Sequence, residues 1–179
     1  MTRAAIRRSD RPLPTTNPAL YRLDRDLTRD QLIAELAAMP TLLRSMMSGR
    51  TADALERRSA DGAWTPLESC RHIRDIVQVY GMRFKWMILQ DDPFLPDYDE
   101  NRWAAGSPDG AADMESLLDE IAAYRSETIR LLRSLKPDGW TRTGRHEVMG
   151  AVKLDAYVRH ELAHEDQHLE QLERSFAGH

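Results

Sequence analysis

Hydrophobic positions recur with a helical period in four separate stretches of this chain, each bounded by start or stop signals. The first runs from about Leu27 to Met47. Thr28 followed by Gln31 makes a capping-box start, Gly49 supplies a stop, and Pro40 is expected to kink or divide the helix. The second has the strongest start, with Thr65 as N-cap, Pro66 in the first helical position and Glu68 completing the box. Its apolar positions are Leu67, Ile73, Val77, Tyr80, Phe84, Met87 and Ile88, and Pro93 limits it. The third runs from about Ala111 to Leu135, with Leu117, Leu118, Ile121, Tyr124, Ile129, Leu132 and Leu135 as core positions. A loop carrying Trp140, His146 and Gly150 leads to the fourth, from about Lys153 to Phe176. No stretch shows the alternation of a strand. The predicted fold class is all-α, a four-helix bundle with a long crossover loop between helices two and three. That loop, roughly Gln90 to Gly110, is of a length that often covers a site.

Composition narrows the picture. The chain has 179 residues, 41% hydrophobic and 30% charged, which suits one soluble domain, placed at residues 21–179. Arg3, Arg7, Arg8 and Arg11, followed by Pro12, Pro14 and Pro18, predict a mobile basic arm over residues 1–20. A net charge of −4 argues against a nucleic-acid partner. Cys70 is the only cysteine, so no intrachain disulfide forms and nothing favours an oxidising compartment. No secretory apolar segment follows the N-terminal arginines, and no run approaches the ~18 apolar residues of a membrane span. The expectation is a cytoplasmic protein without a membrane partner.

The candidate chemistry lies in histidines. His164 and His168 stand one turn apart in the fourth helix, and residues at i and i+4 share a face. On a helical wheel, Leu154, Val158, Leu162, Leu169, Leu172 and Phe176 form the core stripe. His168 lies on its flank and His164 slightly farther round, with Tyr157 and Glu161 on the same flank. Glu165 projects toward the stripe itself, where it needs a partner such as an imidazole N–H or a water at a metal. His72 sits at the edge of the second helix's stripe, in line with Ile76, Val79 and Arg83. All three histidines thus point along helix–helix seams, where bundles build metal sites. Three neutral imidazoles would leave positions open, as in a catalytic centre. The residues equally allow polar, seam-lining histidines bonded to neighbouring carboxylates.

Other features read as structural. His160 turns toward solvent on the wheel, while His146 and His179 read as bystanders. Cys70 stands about 200° from His72 around the helix and reads as core. Arg71, Arg74 and Asp75 read as a solvated face. The run His164-Glu165-Asp166-Gln167-His168 also fits the zinc-protease pattern HExxH. Its extended form needs glycine and histidine where Gln171 and Arg174 stand, and no strand is expected to align a peptide, so proteolysis is set aside.

The segment Asp61 to Asp75, with Trp64-Thr65-Pro66 and His72-Ile73-Arg74-Asp75, resembles the opening of helix two in the DinB-like, YfiT-type metalloenzymes. His164 to Gln171 resembles their second signature, and Trp140, Arg142, Gly144, His146 and Gly150 fit the connecting pattern. The resemblance spans roughly residues 25–176. It implies a bundle whose ligands His72, His164 and His168 bind a divalent metal, zinc or nickel foremost and iron in some members. Several relatives are thiol-dependent, so it also implies an S-transferase joining a low-molecular-weight thiol to a small electrophilic substrate. Dimers are common in the family, so a homodimer is expected. Within that reading Glu165 and Tyr157 would orient the bound group or move a proton, and Arg83 would reach a carboxylate of thiol or substrate. Arg83 could instead form a surface or interhelix ion pair. Two alternatives stand beside it: a non-catalytic metal- or ligand-binding bundle, and a metal-assisted hydrolase of small molecules using Glu165.

Overall fold

The structure, a computed structural model, describes residues 25–58 and 64–177. The basic arm expected at 1–20, His179, and the start of the Asp61 motif lie outside them. Four long helices dominate: α1 (Arg29–Met47), α3 (Pro66–Leu89), α5 (Met114–Arg133) and α6 (Leu154–Ala177). Two short ones, α2 (Ala52–Glu56) and α4 (Glu100–Gly106), intervene. The starts follow the predicted chemistry. Thr28 and Gln31 form a reciprocal capping box on α1, and Thr65 and Glu68 form another on α3. Pro40 does not divide α1, which runs unbroken past it.

The helices are not arranged in sequence order. α3 packs on α5, α5 on α1, α1 on α6, and α6 on α3. Helices consecutive in the chain therefore face each other across the diagonal in two cases, α1 with α3 and α5 with α6. The α3–α5 seam is close: a Cβ at Gly81 would come within 2.7 Å of the Thr128 hydroxyl oxygen, which is why that position of α3 carries none.

The expectation that no strand forms is corrected. β1 (Phe94–Leu95), β2 (Thr143–His146) and β3 (Gly150–Lys153) make a small sheet in the order β1-β2-β3. β1 runs parallel to β2, and β2 pairs antiparallel with β3. Gly150 takes φ 72° where the hairpin closes. The inward residues of β2 are Gly144 and His146, so the strand lacks the apolar alternation that would have announced it. The crossover segment is likewise structured, since it contains β1 and α4. Arg142 fastens the sheet to the bundle by donating from Nε to the carbonyl of Met87 (2.6 Å) and from a terminal nitrogen to that of Gln90 (2.6 Å). Met87 lies in the last turn of α3 and Gln90 is its C-cap, where carbonyls lack helical partners.

A polar layer divides the core in two. One apolar cluster includes Leu36, Ile76, Tyr80, Phe84, Ile129 and Leu162. The other includes Met39, Cys70, Ile73, Leu118, Ile121 and Leu169. Between Ile121 and Ile129 on α5 stands Arg125, 1% exposed. It reaches across the diagonal to two buried carboxylates of α6, donating to Glu161 (2.9 Å) and to Glu165. Burial raises both carboxyls against the pull of Arg125, Glu165 to about 8.

Removing one member of such a group costs more than replacing all of them. Arg125→Met should lower unfolding free energy by about 3–5 kcal/mol, read from urea denaturation. A triple variant with leucine also at 161 and 165 should recover most of that loss. An Arg125→Met protein as stable as the parent would show that the layer contributes little.

Candidate metal centre

α3 and α6 are neighbours, and their packing brings the three histidines together. One potential ligand atom from each of His72, His164 and His168 lies within 4.8 Å of the others, and all three side chains are buried. Ring centroids are 5.4 Å apart for His72 and His164, 4.5 Å for His72 and His168, and 4.8 Å for His164 and His168. Trp64, just before the N-cap of α3, packs edge-on against His72 at 4.7 Å and stacks on His168 at 5.9 Å. This indole walls one side of the cluster. Its part was not read from the sequence beyond its place in the motif.

The cluster is built for neutral imidazoles. Burial, then the proximity of His168, lowers His72 well below the usual histidine range. His164 is lowered by burial and by its histidine neighbours. Burial brings His168 down to about 4, against an opposing hydrogen bond with Gln171. The neutral ring is the form that ligates a metal. Both ring nitrogens of His72 are buried without a hydrogen-bond partner among the described residues. Unpartnered buried nitrogen is costly in a bare core and satisfied by a cation. The donor set therefore fits a divalent metal.

A narrow cleft of about 30 Å³ reaches His164. Its walls are Tyr80, Arg83, Asp97, Tyr98, Glu100, His146, Met149 and His160. Arg83 is 2% exposed and donates to the Tyr157 hydroxyl (2.8 Å) and to the Pro96 carbonyl. Arg83 thus makes an interhelix contact whose partner is chiefly a phenol, and Asp97 stands at 3.7 Å. Burial pushes the Tyr157 phenol up, opposed by Arg83. Glu100, from α4, lies 3.8 Å from His72 Nε2 and is 6% exposed. Burial, then the like charges of Asp97 and Asp99, raises its carboxyl to about 7.

Several expectations are corrected. Glu165 meets neither an imidazole nor the cleft; its partner is Arg125, and it lines a separate groove between α1 and α6. His160 is buried, not solvent-facing: its ring stacks on Tyr157 at 5.9 Å and borders the cleft. His146 is no bystander, because its Nδ1 accepts from the backbone N–H of Val148 (3.2 Å) and Met149 (3.3 Å), shaping the hairpin turn. Asp75 is buried, and Arg74 ties it to Asp109 at the end of the crossover segment. Cys70 is buried core, as expected, with its thiol pushed up to about 12.

The histidines give the apoprotein a definite pH response. Their folded pKa values lie below the unfolded value of about 6.5, so their stabilising contribution is complete above that pH. It declines as pH falls toward 4, because the unfolded chain takes up protons that the folded one refuses. Glu165 acts oppositely, its contribution being lost as pH rises through about 8. Comparing chelated parent with His168→Leu by urea denaturation isolates the histidine part. The parent should lose stability relative to the variant between pH 6.5 and 4; parallel curves would contradict the burial argument.

Comparison with known proteins agrees with this geometry. A protein of Oceanobacillus iheyensis, provisionally named a metal-dependent hydrolase, is 26% identical over 154 residues, covering 80% of this chain and 89% of its own. Among solved structures, YfiT from Bacillus subtilis matches with a TM-score of 0.76 and 22% identity, over 87% of this chain and 93% of its own. It is described as a probable metal-dependent hydrolase with an unusual four-helix bundle topology. TT2238, a four-helix bundle protein, matches with a TM-score of 0.57 and 21% identity, over 82% of this chain and 99% of its own. These two likenesses establish the four-helix bundle. The model of the DinB superfamily matches residues 31–172, and with the bundle and its buried histidines in place, the chain belongs to that superfamily.

Proposed function

We propose that this protein is a metal-dependent hydrolase of a small polar substrate. The observation that carries the reading is a trio of buried imidazoles, one of which, His164, lines a narrow cleft. The name of the Oceanobacillus relative and the description of YfiT point the same way. His72, His164 and His168 would hold the metal. A divalent ion held by three imidazoles acts as a Lewis acid and makes water nucleophilic near neutral pH.

The chain's own residues do the rest. Trp64 covers the imidazoles on one side and keeps bulk water from them. Arg83 sets a fixed positive charge in the cleft wall, suited to orienting a carbonyl or acidic group of the substrate. Tyr157 positions that guanidinium through its hydroxyl and, with its phenol pushed up by burial, is not a proton donor of choice at neutral pH. Glu165 stays with Arg125 and takes no part in the cleft. The cleft's small volume limits the reacting part of the substrate to a few atoms.

Nothing in the cleft singles out a thiol, and thiol-dependent transfer gains no support from the relatives. It is retained as an arm of the test. Protein purified without a histidine tag, chelated, and reloaded with zinc, nickel, manganese or iron should hydrolyse members of a panel of small esters and amides. Chelation and His164→Ala should each reduce turnover to background. Equal turnover with and without metal would defeat the proposal. Turnover confined to an electrophile paired with a low-molecular-weight thiol would replace hydrolysis with S-transfer.

A further inference from the structure

The cleft contains a carboxylate that the three-histidine reading leaves unused. Glu100 opens α4, within the crossover segment, and its side chain is turned inward rather than to solvent. Its carboxylate Oε2 lies 3.8 Å from Nε2 of His72. It lines the same cleft as His164, and so stands on the side from which that histidine is approached. Among the described residues no arginine or lysine comes within ion-pair distance of it, for Arg83 is taken up by Tyr157, Pro96 and Asp97. Its neighbours Asp97 and Asp99 carry the same sign. A buried carboxylate without an arginine or lysine partner is disfavoured.

We propose that Glu100 is the anionic member of the metal site, placed by the crossover segment on the cleft side of the three imidazoles, where it offsets the charge of the ion. The proposal rests on the three-histidine reading and adds two things to it. One is a carboxylate at the site, in place of Glu165. The other is a link between metal and α4: a cation held by α3 and α6 attracts Glu100, and with it the crossover segment. An attraction between unit charges a few ångströms apart is substantial once water is excluded.

Cobalt(II) binding to the full chain tests this without any substrate. Affinity is measured by competition with a chromophoric chelator, and the site is observed through the visible bands of the bound cobalt. Glu100→Gln keeps the shape and removes the charge. It should bind cobalt about 10–100-fold more weakly, the range found when groups around metal ligands are lost, and its bands should shift. Without metal, Glu100→Gln should be at least as stable to urea as the parent, since an unpartnered charge has been removed. Hydrogen exchange at the α4 amides should slow on adding cobalt to the parent and not to the variant. His72→Ala serves as the control and should lose the metal altogether. Glu100→Gln with parental affinity, bands and exchange, beside a His72→Ala protein that cannot bind, overturns the role of Glu100 alone. A parent that binds no cobalt overturns both readings.

Discussion

Ionisable groups buried between helices must meet partners, and this bundle is organised around meeting them. Two polar clusters occupy its centre. In one, a guanidinium serves two carboxylates: Arg125 with Glu161 and Glu165. In the other, three imidazoles converge with no cation among the described protein groups to unite them. In the first cluster the charges are paired within the protein. The second offers a set of three nitrogen donors that fits a divalent metal.

The helix order makes both clusters possible. Because α3 lies beside α6, His72 meets the His164 and His168 pair across one seam. Because α5 lies diagonally opposite α6, the long side chain of Arg125 spans the centre of the bundle to the next turns of the same helix. Glu161, His164, Glu165 and His168 are thus neighbours on α6 with separate allegiances. The carboxylates are held by α5, and the histidines are left to α3 and the cleft. No helix among the described residues is long and apolar enough to cross a membrane, in keeping with a core this polar.

Much of this was legible in the sequence. The capping residues Thr28, Gln31, Thr65 and Glu68 marked helix starts because capping is local chemistry. The i,i+4 spacing put His164 and His168 on one face for the same reason. The failures were tertiary. A wheel orders residues around one helix and says nothing of what covers it, so His160 looked exposed where the hairpin and the crossover segment close over that face. Glu165, aimed at the apolar stripe, needs a partner, but its own helix does not show which element supplies one. Arg125 carried a readable signal, a charge between Ile121 and Ile129 on an apolar stripe, and would have supplied it. The strands escaped because β2 is four residues long and turns a glycine and a histidine inward. Glu100 gave no sign, since its burial comes from the fold of the crossover segment.

The central claim is the convergence of His72, His164 and His168 on one cation. X-ray absorption spectroscopy of the metal-loaded protein tests it most directly, because imidazole rings give a distinct scattering pattern. One metal per chain, with about three imidazole nitrogens at roughly 2.0–2.1 Å for zinc, is the expected result. A coordination shell of oxygen alone, or metal in no fixed proportion to protein, would contradict the account.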